Sequence, residues 1–376
     1  MILQALALAS LFGISFFTQA QGVAEVSARR AAGDMATEFR NHRYPPSATP
    51  SPLPRREPQG REVDIVRTAQ YLVDNYPVLS MVLVERGEII FEAYNKPAAV
   101  NRPNFSWSMS KSLTAYTLGL MHCDGKFPDL DKPAQTYAMD LLGTVYGEAS
   151  VRQLLMMSSG VRKAVSSGDH LVLKGNCEQG RDCDGWQRMR SQTLSGREYL
   201  HAVKDRDIES GKEFRYSGTD TLALGRLIET NGGVIKEFDR YLWSKIGAES
   251  AGYWLLDKDG IPIVQAGFSA VSRDWARLAR YTIQLSKSGT ECQQQFMRDA
   301  TRPLIKNNGP VGAAHRGYGY QTWITTDTAR PSYWWVGYGG QRVAVDPEKD
   351  RVLVVTSHKE SYMNRVRDLF TDWQRN

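Results

Sequence analysis

Hydrophobic residues recur at helical spacing through much of the chain and form short β-type runs near both ends. The helical spacing predicts helices over residues 62–76, 109–122, 151–157, 196–205, 219–230, 235–246, 272–286 and 362–373. The β-type runs predict strands over residues 79–84, 88–94, 318–325, 333–345 and 351–357. Strands from both ends that flank a helical middle predict one antiparallel sheet with helices packed around it. The predicted fold class is α+β, an α/β sandwich with a mostly helical region inserted at about residues 125–265.

The N-terminal part of the chain differs in character from the rest. Residues 1–20 carry no charge and hold an apolar stretch that ends in small residues, as in a secretory signal peptide cleaved after Ala20. A membrane anchor is the alternative, but the apolar stretch is short for one. Residues 44–60 hold six of the sixteen prolines, so residues 21–60 are predicted to be a polar, proline-rich linker. We expect a periplasmic or secreted protein whose main domain covers residues 61–376.

Composition and charge narrow the class of protein. The 376 residues are 41% hydrophobic and 23% charged, values that exclude a disordered or fibrous chain. The formal net charge is +6, but the basic residues are scattered and do not interleave with aromatic residues. A nucleic-acid partner is therefore not expected.

The four cysteines fall into two groups. Cys177 and Cys183 enclose a short polar loop, and in an oxidising compartment we expect a disulfide between them. Metal binding is the weaker alternative there, because no histidine lies nearby to complete a ligand set. Cys123 and Cys292 follow apolar helical patterns and are predicted to be buried free thiols.

A Ser-x-x-Lys sequence is the first candidate for chemistry. Ser108 and Lys111 stand at the start of a predicted helix, where positions three apart share one face. A serine needs a neighbouring base to attack a carbonyl carbon, and an amine can serve where its surroundings favour the neutral form. The helix N-terminus also offers backbone N–H groups to an oxyanion. Taken alone, this pattern is more often a solvated serine and lysine at a helix end.

Two further elements follow in order along the chain. Tyr216 precedes the predicted helix over residues 219–230, where the plainer interpretation is a core tyrosine. Trp335-Val336-Gly337 lies on a predicted strand, where the plainer interpretation is an edge strand loosened by glycine. Penicillin-recognising enzymes also combine Ser-x-x-Lys with two later elements.

On these motifs the chain resembles the serine β-lactamase-related hydrolases, which include class C β-lactamases, esterases, D-aminopeptidases and 6-aminohexanoate-dimer hydrolases. The resemblance covers about residues 62–373. It is carried by Phe105–Ser112, Val151–Val161, Phe214–Glu229, Gly267–Arg280 and Trp335–Thr356. It implies a β-lactamase/penicillin-binding-like fold, hydrolysis through an acyl-enzyme, a small ester or amide as substrate, and no cofactor or metal.

The resemblance also implies roles for three side chains. Ser108 matches the family's nucleophile, and Lys111 matches the partner of that nucleophile. Tyr216 falls on the tyrosine of the Tyr-x-Asn element, which acts as general base and proton shuttle.

A pair of backbone N–H groups is implied in the same way. Trp335 to Gly337 match the family's His/Lys-Thr-Gly element, so the N–H groups of Tyr338 and Ser108 would form the oxyanion hole. An alternative alignment places Tyr338-Gly339-Gly340 on that element and moves the second donor to Gln341. The sequence leaves both alignments open.

Two departures from the family pattern affect the predicted substrate. Gly218 replaces the asparagine of Tyr-x-Asn, and Trp335 replaces the cation that recognises the β-lactam carboxylate. An indole cannot pair with a carboxylate, so we expect esters or linear amides to be preferred over penicillins. A β-lactamase or DD-peptidase is the alternative enzyme. A binding or sensor module without catalysis is the alternative of another class.

Overall fold

A computed structural model describes residues 22–161, 185–309, 312–326 and 330–375. The predicted signal peptide and the predicted Cys177–Cys183 disulfide lie outside the described residues, and both stay predictions. Within the described part of the chain, no helix combines the length and hydropathy needed to cross a membrane.

The centre of the fold is an eight-stranded antiparallel sheet, and the strands are numbered along the chain. From one edge to the other they are β3 (Glu88–Tyr94), β2 (Val78–Glu85), β12 (Arg351–Ser357), β11 (Gln341–Asp346), β10 (Ser332–Gly337), β9 (Trp323–Thr325), β8 (Gly317–Tyr318) and β7 (Ile305–Lys306). A second sheet has the order β1 (Asn41–Tyr44), β5 (Gly252–Leu255), β6 (Phe268–Ala270) and β4 (Asn104–Phe105). The large sheet joins the two ends of the domain, so the predicted α+β class is confirmed.

Helices cover both faces of the large sheet. They are α1 (Met35–Glu38), α2 (Glu62–Asn75), α3 (Ser110–Cys123), α4 (Val145–Glu148), α5 (Val151–Leu155), α6 (Gly185–Arg190), α7 (Gly196–Ala202), α8 (Gly218–Thr230), α9 (Val234–Tyr241), α10 (Ser272–Ser288), α11 (Glu291–Ala300) and α12 (Met363–Arg375). Each predicted helix is present. Helix α11 was not predicted, because only Phe296, Met297 and Ala300 of its ten residues are buried apolar side chains.

Alternate residues of the central strands pack into two separate cores. Leu83 of β2 and Leu353 of β12 pack with α2 and α12 on one face of the sheet. Val82 and Val354 on the same strands pack with the helical region on the other face. Burial on both faces explains why these strands are almost continuously apolar in sequence. Helix α3 lies inside the second core, and its residues from Ser110 to Met121 are all buried.

The run predicted as one strand over residues 333–345 is a hairpin. Strands β10 and β11 pair from Tyr333 opposite Val345 to Gly337 opposite Gln341, and residues 338–340 form the turn. Gly339 and Gly340 adopt φ angles of +73° and +92°, which side chains rarely allow. Because apolar residues continue through both strands, the two glycines were the only signal for this turn.

The predicted linker is wrong for much of its length. Strand β1 pairs with β5, and Tyr44 and Leu53 are buried in the main core. The proline-rich stretch runs along the domain, where Ser51 N donates to Gly247 O at 2.9 Å. These contacts make the stretch part of the domain; its prolines shape an extended path over the surface.

The prediction of two free thiols is also wrong, because Cys123 and Cys292 form a disulfide. Cys123 ends α3 and Cys292 lies in the first turn of α11, and the two helices pack against each other. The partners are 169 residues apart, and one of them lies on the helix that the apolar pattern failed to predict. Helical periodicity indicated burial and gave no information on pairing.

Candidate active site

Ser108 lies at the junction between the small sheet and the central helix. Strand β4 pairs with β6, and the chain then makes a 3₁₀ turn over Trp107–Met109 before α3 begins. Trp107 has a φ of +48°, a left-handed conformation that is costly for a tryptophan. Its ring contacts Phe105 edge-on at a centroid distance of 5.2 Å, and this packing helps to hold the turn. The Ser108 side chain is partly exposed at the end of a cavity.

Lys111 lies beside Ser108, as the spacing predicted. Its Nζ donates to Ser108 Oγ at 3.2 Å, and it also donates to the backbone carbonyl of Gln265. The lysine is 4% exposed. A buried amine in contact with one hydroxyl and one carbonyl is restricted to a few orientations, one of which faces the serine.

Tyr216 completes the group that the sequence predicted. Its side chain lies close to that of Ser108 and lines the same cavity, and the Nζ of Lys111 lies 5.5 Å from the centre of its ring. Burial raises the pKa of Tyr216 to about 12, although the interaction with the Ser108 side chain and the charge of Arg342 act in the opposite direction. The phenol is therefore protonated at neutral pH and can donate its proton.

A buried carboxyl group supports the loop that carries Tyr216. Asp220 Oδ1 accepts from Ser159 Oγ at 2.7 Å and its Oδ2 accepts from Ser159 N at 3.3 Å, and the carboxyl group lies close to the side chain of Ser217, the residue after Tyr216. The amide of Ser217 contacts the sulfur of Met157 at 3.3 Å. Burial raises the pKa of Asp220 to about 7, with these hydrogen bonds opposing the shift. Sequence reasoning missed Asp220, because its position in the first turn of α8 gave no sign of its burial.

This burial predicts a pH-dependent stability. The folded protein binds the Asp220 proton more tightly than the unfolded chain does, since the pKa rises from an ordinary 3.8 to about 7. As the pH rises from 3.8 to about 7, the free energy of unfolding of the wild type should therefore fall relative to that of Asp220→Asn, which cannot ionise. Urea unfolding at several pH values measures the difference. Asp131→Asn is the control. Because Arg152 lowers the pKa of Asp131, the change in the free energy of unfolding caused by Asp131→Asn should be constant above about pH 5. A constant Asp220→Asn difference would contradict the assignment.

The β10–β11 turn approaches Ser108 closely at Gly337. A Cβ atom on Gly337 would lie 2.1 Å from the carbonyl oxygen of Ser106, so only glycine lets the strand end come this near. Gly337 and Tyr338 both line the cavity at Ser108. Gln341 is fully buried, and its side-chain amide donates to Ser357 O. Of the two candidates for the second backbone donor, Tyr338 is the one that lines the cavity at Ser108.

Arg342 stabilises the same turn through hydrogen bonds to its backbone. Its Nη1 donates to the carbonyl of Gly337 at 2.7 Å and to that of Gln341 at 2.8 Å, the residues on either side of the turn. Its Nη2 lies 3.7 Å from Glu360. Burial lowers the pKa of Arg342, while Glu360 opposes the shift. The sequence gave no signal for this contact, since an arginine on a strand is usually a surface residue.

The cavity at Ser108 has a volume of about 370 Å³ and a mixed lining. Apolar side chains such as Trp323, Trp334 and Val336 form one part of it. Arg342, Glu360 and Arg367 supply charge, and His315 is a further polar group. Burial lowers the pKa of His315 to about 3, so the imidazole is neutral at physiological pH. Its Nδ1 contacts Thr325 Oγ1 at 3.0 Å, an arrangement unlike the base of a Ser-His-Asp triad.

Comparisons with known proteins agree with this architecture. The family model described as Beta-lactamase matches residues 65–374. The chain belongs to the β-lactamase family. The 6-aminohexanoate-dimer hydrolase of Paenarthrobacter ureafaciens is 26% identical over 285 residues, which cover 73% of this chain and 71% of that protein.

Two solved structures share the fold. A Bacillus anthracis protein assigned as a 6-aminohexanoate-dimer hydrolase superposes with a TM-score of 0.74 at 20% identity and covers 91% of each chain. EstCE1, a hydrolase with promiscuous acyltransferase activity, gives a TM-score of 0.62 at 17% identity and covers 82% of this chain and 97% of its own. At these identities the likeness establishes the fold.

The role predicted for Trp335, one of the two departures from the β-lactamase-family pattern, is wrong. Trp335 was predicted to contact substrate, but its side chain is fully buried and its Nε1 donates to Tyr116 Oη at 3.0 Å. Strand alternation turns Trp334 and Val336 toward the cavity, and Trp335 toward the opposite core. Trp335 therefore does not occupy the place of a substrate-binding cation.

The other departure, Gly218, is accompanied by a neighbouring amide. A Cβ atom on Gly218 would lie 3.4 Å from Cγ of Gln265, whose backbone carbonyl accepts from Lys111. The side-chain oxygen of Gln265 is buried and has no hydrogen-bond partner among the described residues. The aliphatic part of the Gln265 side chain thus lies beside the glycine that replaces the family's asparagine. The sequence could not predict this contact, which joins residues 47 apart.

Proposed function

We propose that the protein is a serine hydrolase that cleaves esters or linear amides through an acyl-enzyme at Ser108. The hydrogen bond from Lys111 Nζ to the Ser108 hydroxyl, in a cavity that Tyr216 also lines, carries the proposal. Family membership supports a hydrolase, and the name of the 6-aminohexanoate-dimer hydrolase supports a linear amide as substrate. A binding module would have no need for a buried lysine held against a serine.

The proposed reaction begins with attack of Ser108 Oγ on the carbonyl carbon. Neutral Lys111 takes the hydroxyl proton, and the N–H groups of Ser108 and Tyr338 stabilise the oxyanion. Tyr216 donates its proton to the leaving alcohol or amine as the carbonyl–heteroatom bond breaks. The Lys111 ammonium restores the phenol proton. Water then attacks the acyl-enzyme by the reverse proton path and releases the acid.

A substrate panel tests the proposed reaction. We expect purified protein to hydrolyse p-nitrophenyl esters and 6-aminohexanoate dimer with kcat/KM above that for benzylpenicillin, and Ser108→Ala to be inactive on all of them. Ser112→Ala is a matched control, because its hydroxyl is buried and donates to Gln321 O away from the cavity. Equal hydrolysis by wild type and Ser108→Ala would overturn the proposal.

A β-lactamase or DD-peptidase is the second candidate. Arg342 and Arg367 in the cavity wall favour it, since both offer positive charge to the carboxylate of a penicillin. Against it, Arg342 already donates to two carbonyls and lies beside Glu360. Benzylpenicillin turnover that exceeds every ester and amide in the panel would promote this candidate.

A further inference from the structure

A second cavity adjoins the first at the β10–β11 turn. It has a volume of about 240 Å³, and Tyr338 lines both cavities. Trp107, the residue before Ser108, also lines the second cavity, and its ring meets that of Tyr338 edge-on at 5.4 Å. The remaining wall includes residues of the chain's N-terminal segment, defined as residues 22–34. These wall residues are Val23, Val26, Ser27, Arg30 and Ala31. This segment precedes the region that the family model matches.

The N-terminal segment is attached to the domain by packing that keeps this wall in place. Ala28, Ala31 and Ala32 are buried in a small cluster with Leu79 and Ala98. A Cβ atom on Gly33 would lie 2.0 Å from the carbonyl oxygen of Pro103, so the backbones touch there. Arg102 pairs with Asp34 next to that contact. The segment is therefore a fixed part of the surface near Ser108.

The side chains at the opening of the second cavity are apolar and exposed. Val23, Val26 and Tyr338 are 67%, 50% and 69% exposed, among the largest values for hydrophobic residues in the described chain. Apolar side chains that cluster beside a reactive group are typical of a binding site. Arg30 also lines the cavity, but its guanidinium is paired with Glu38 at 3.2 Å. Gln341 and Ser357 also line the cavity, but their side chains donate to backbone carbonyls, which leaves His358 as a further polar group in a mainly apolar lining. Most of the wall therefore suits an uncharged hydrocarbon chain.

The position of Tyr216 decides which part of a substrate belongs here. Tyr216 lines the first cavity only, and in the proposed reaction it gives its proton to the leaving group. The leaving group must therefore occupy the first cavity. The acyl chain extends from the other side of the carbonyl carbon, past Tyr338 and Trp107.

We propose that the second cavity is an acyl-chain subsite, and that the N-terminal segment sets the preferred chain length. The ligand class is a linear aliphatic acyl group of an ester or amide. The proposal rests on the proposed function, because it needs a carbonyl carbon at Ser108. It assigns a substrate-binding role to a segment that the sequence indicated only as a linker.

Esters that share one leaving group test the subsite. With p-nitrophenyl acetate, butyrate and hexanoate, only the acyl chain changes, and kcat/KM should rise with length by up to about fourfold per methylene. Val26→Asp should lower kcat/KM for the hexanoate by about tenfold or more and leave the acetate within about twofold. Val26→Leu should keep the wild-type dependence on length. Val63→Asp is the matched control, an exposed valine on α2 that lines neither cavity.

The outcomes separate the subsite from the proposed function. Ester hydrolysis by Ser108→Ala at the wild-type rate would overturn the proposed function and the subsite with it. An inactive Ser108→Ala together with an unchanged chain-length dependence in Val26→Asp would overturn the subsite alone. The same loss of chain-length dependence in Val63→Asp would also overturn the subsite, because the loss would then not be specific to the second cavity.

Discussion

Lys111→Ala and Tyr216→Phe are each expected to lower kcat for ester hydrolysis by roughly 10²- to 10⁴-fold, the usual effect of removing a positioned acid or base. Lys111 contacts the nucleophile at 3.2 Å, and the Tyr216 side chain lies beside the same serine. Because both side chains serve one proton path, the double variant should lose far less than the product of the two single losses. Steady-state kinetics of the three variants measure this coupling.

Tyr116→Phe is the control for the loss of a buried phenol. Its hydroxyl contacts Thr322 Oγ1 at 2.8 Å and accepts from Trp335, and it does not line the cavity at Ser108. We expect this variant to lose stability and to keep its kcat. A Tyr216→Phe variant with wild-type kcat would assign the proton chemistry to Lys111 alone. Wild-type kcat in Lys111→Ala would contradict the proposed base.

Gly337→Ala should lower kcat by at least roughly 10²-fold, the effect of losing one oxyanion donor. The added methyl group would lie 2.1 Å from Ser106 O, so the strand end must move away and carry the Tyr338 N–H with it. The backbone angles of Gly337, a φ of −122° and a ψ of 152°, are open to any residue. The expected loss therefore comes from the contact and not from backbone strain.

Gly218→Ala is the matched control for this glycine. Its added methyl group would meet Gln265 Cγ at 3.4 Å, an ordinary contact, so kcat should stay close to the wild-type value. Thermal unfolding of both variants distinguishes a displaced strand end from a general loss of structure. A Gly337→Ala variant that is folded and fully active would remove the Tyr338 N–H from the proposed oxyanion hole.

Local sequence patterns predicted most of the large sheet, most of its helices and the Ser108–Lys111 contact. Each of these depends on periodicity within one element, or on spacing of three along one helix. The run predicted as one strand over residues 318–325 is two short strands, β8 and β9, and β7 was not predicted. The small sheet was missed, since β4 and β6 have only two and three residues and pair across more than 160 positions. Such short strands carry no periodicity that a sequence can display.

The parts of the site that sequence reasoning missed are contacts that no local pattern indicates. Arg342 is held by carbonyls of its own hairpin, and Gln265 reaches Lys111 from a loop between β5 and β6. Trp335 was matched to a substrate-binding position because alignment gives a place in the motif but not the face of the strand. The family motif therefore predicted which hairpin meets Ser108, and strand register decided which side chains face the cavity.

Peptide mapping of the protein labelled with a fluorophosphonate tests the central claim most directly. The reagent forms a covalent bond with an activated serine, so the account predicts one adduct, on the peptide that contains Ser108. Labelling should be lost in Ser108→Ala and kept in Ser112→Ala, whose hydroxyl donates to Gln321 O. An adduct on another residue, or labelling that persists in Ser108→Ala, would contradict the account.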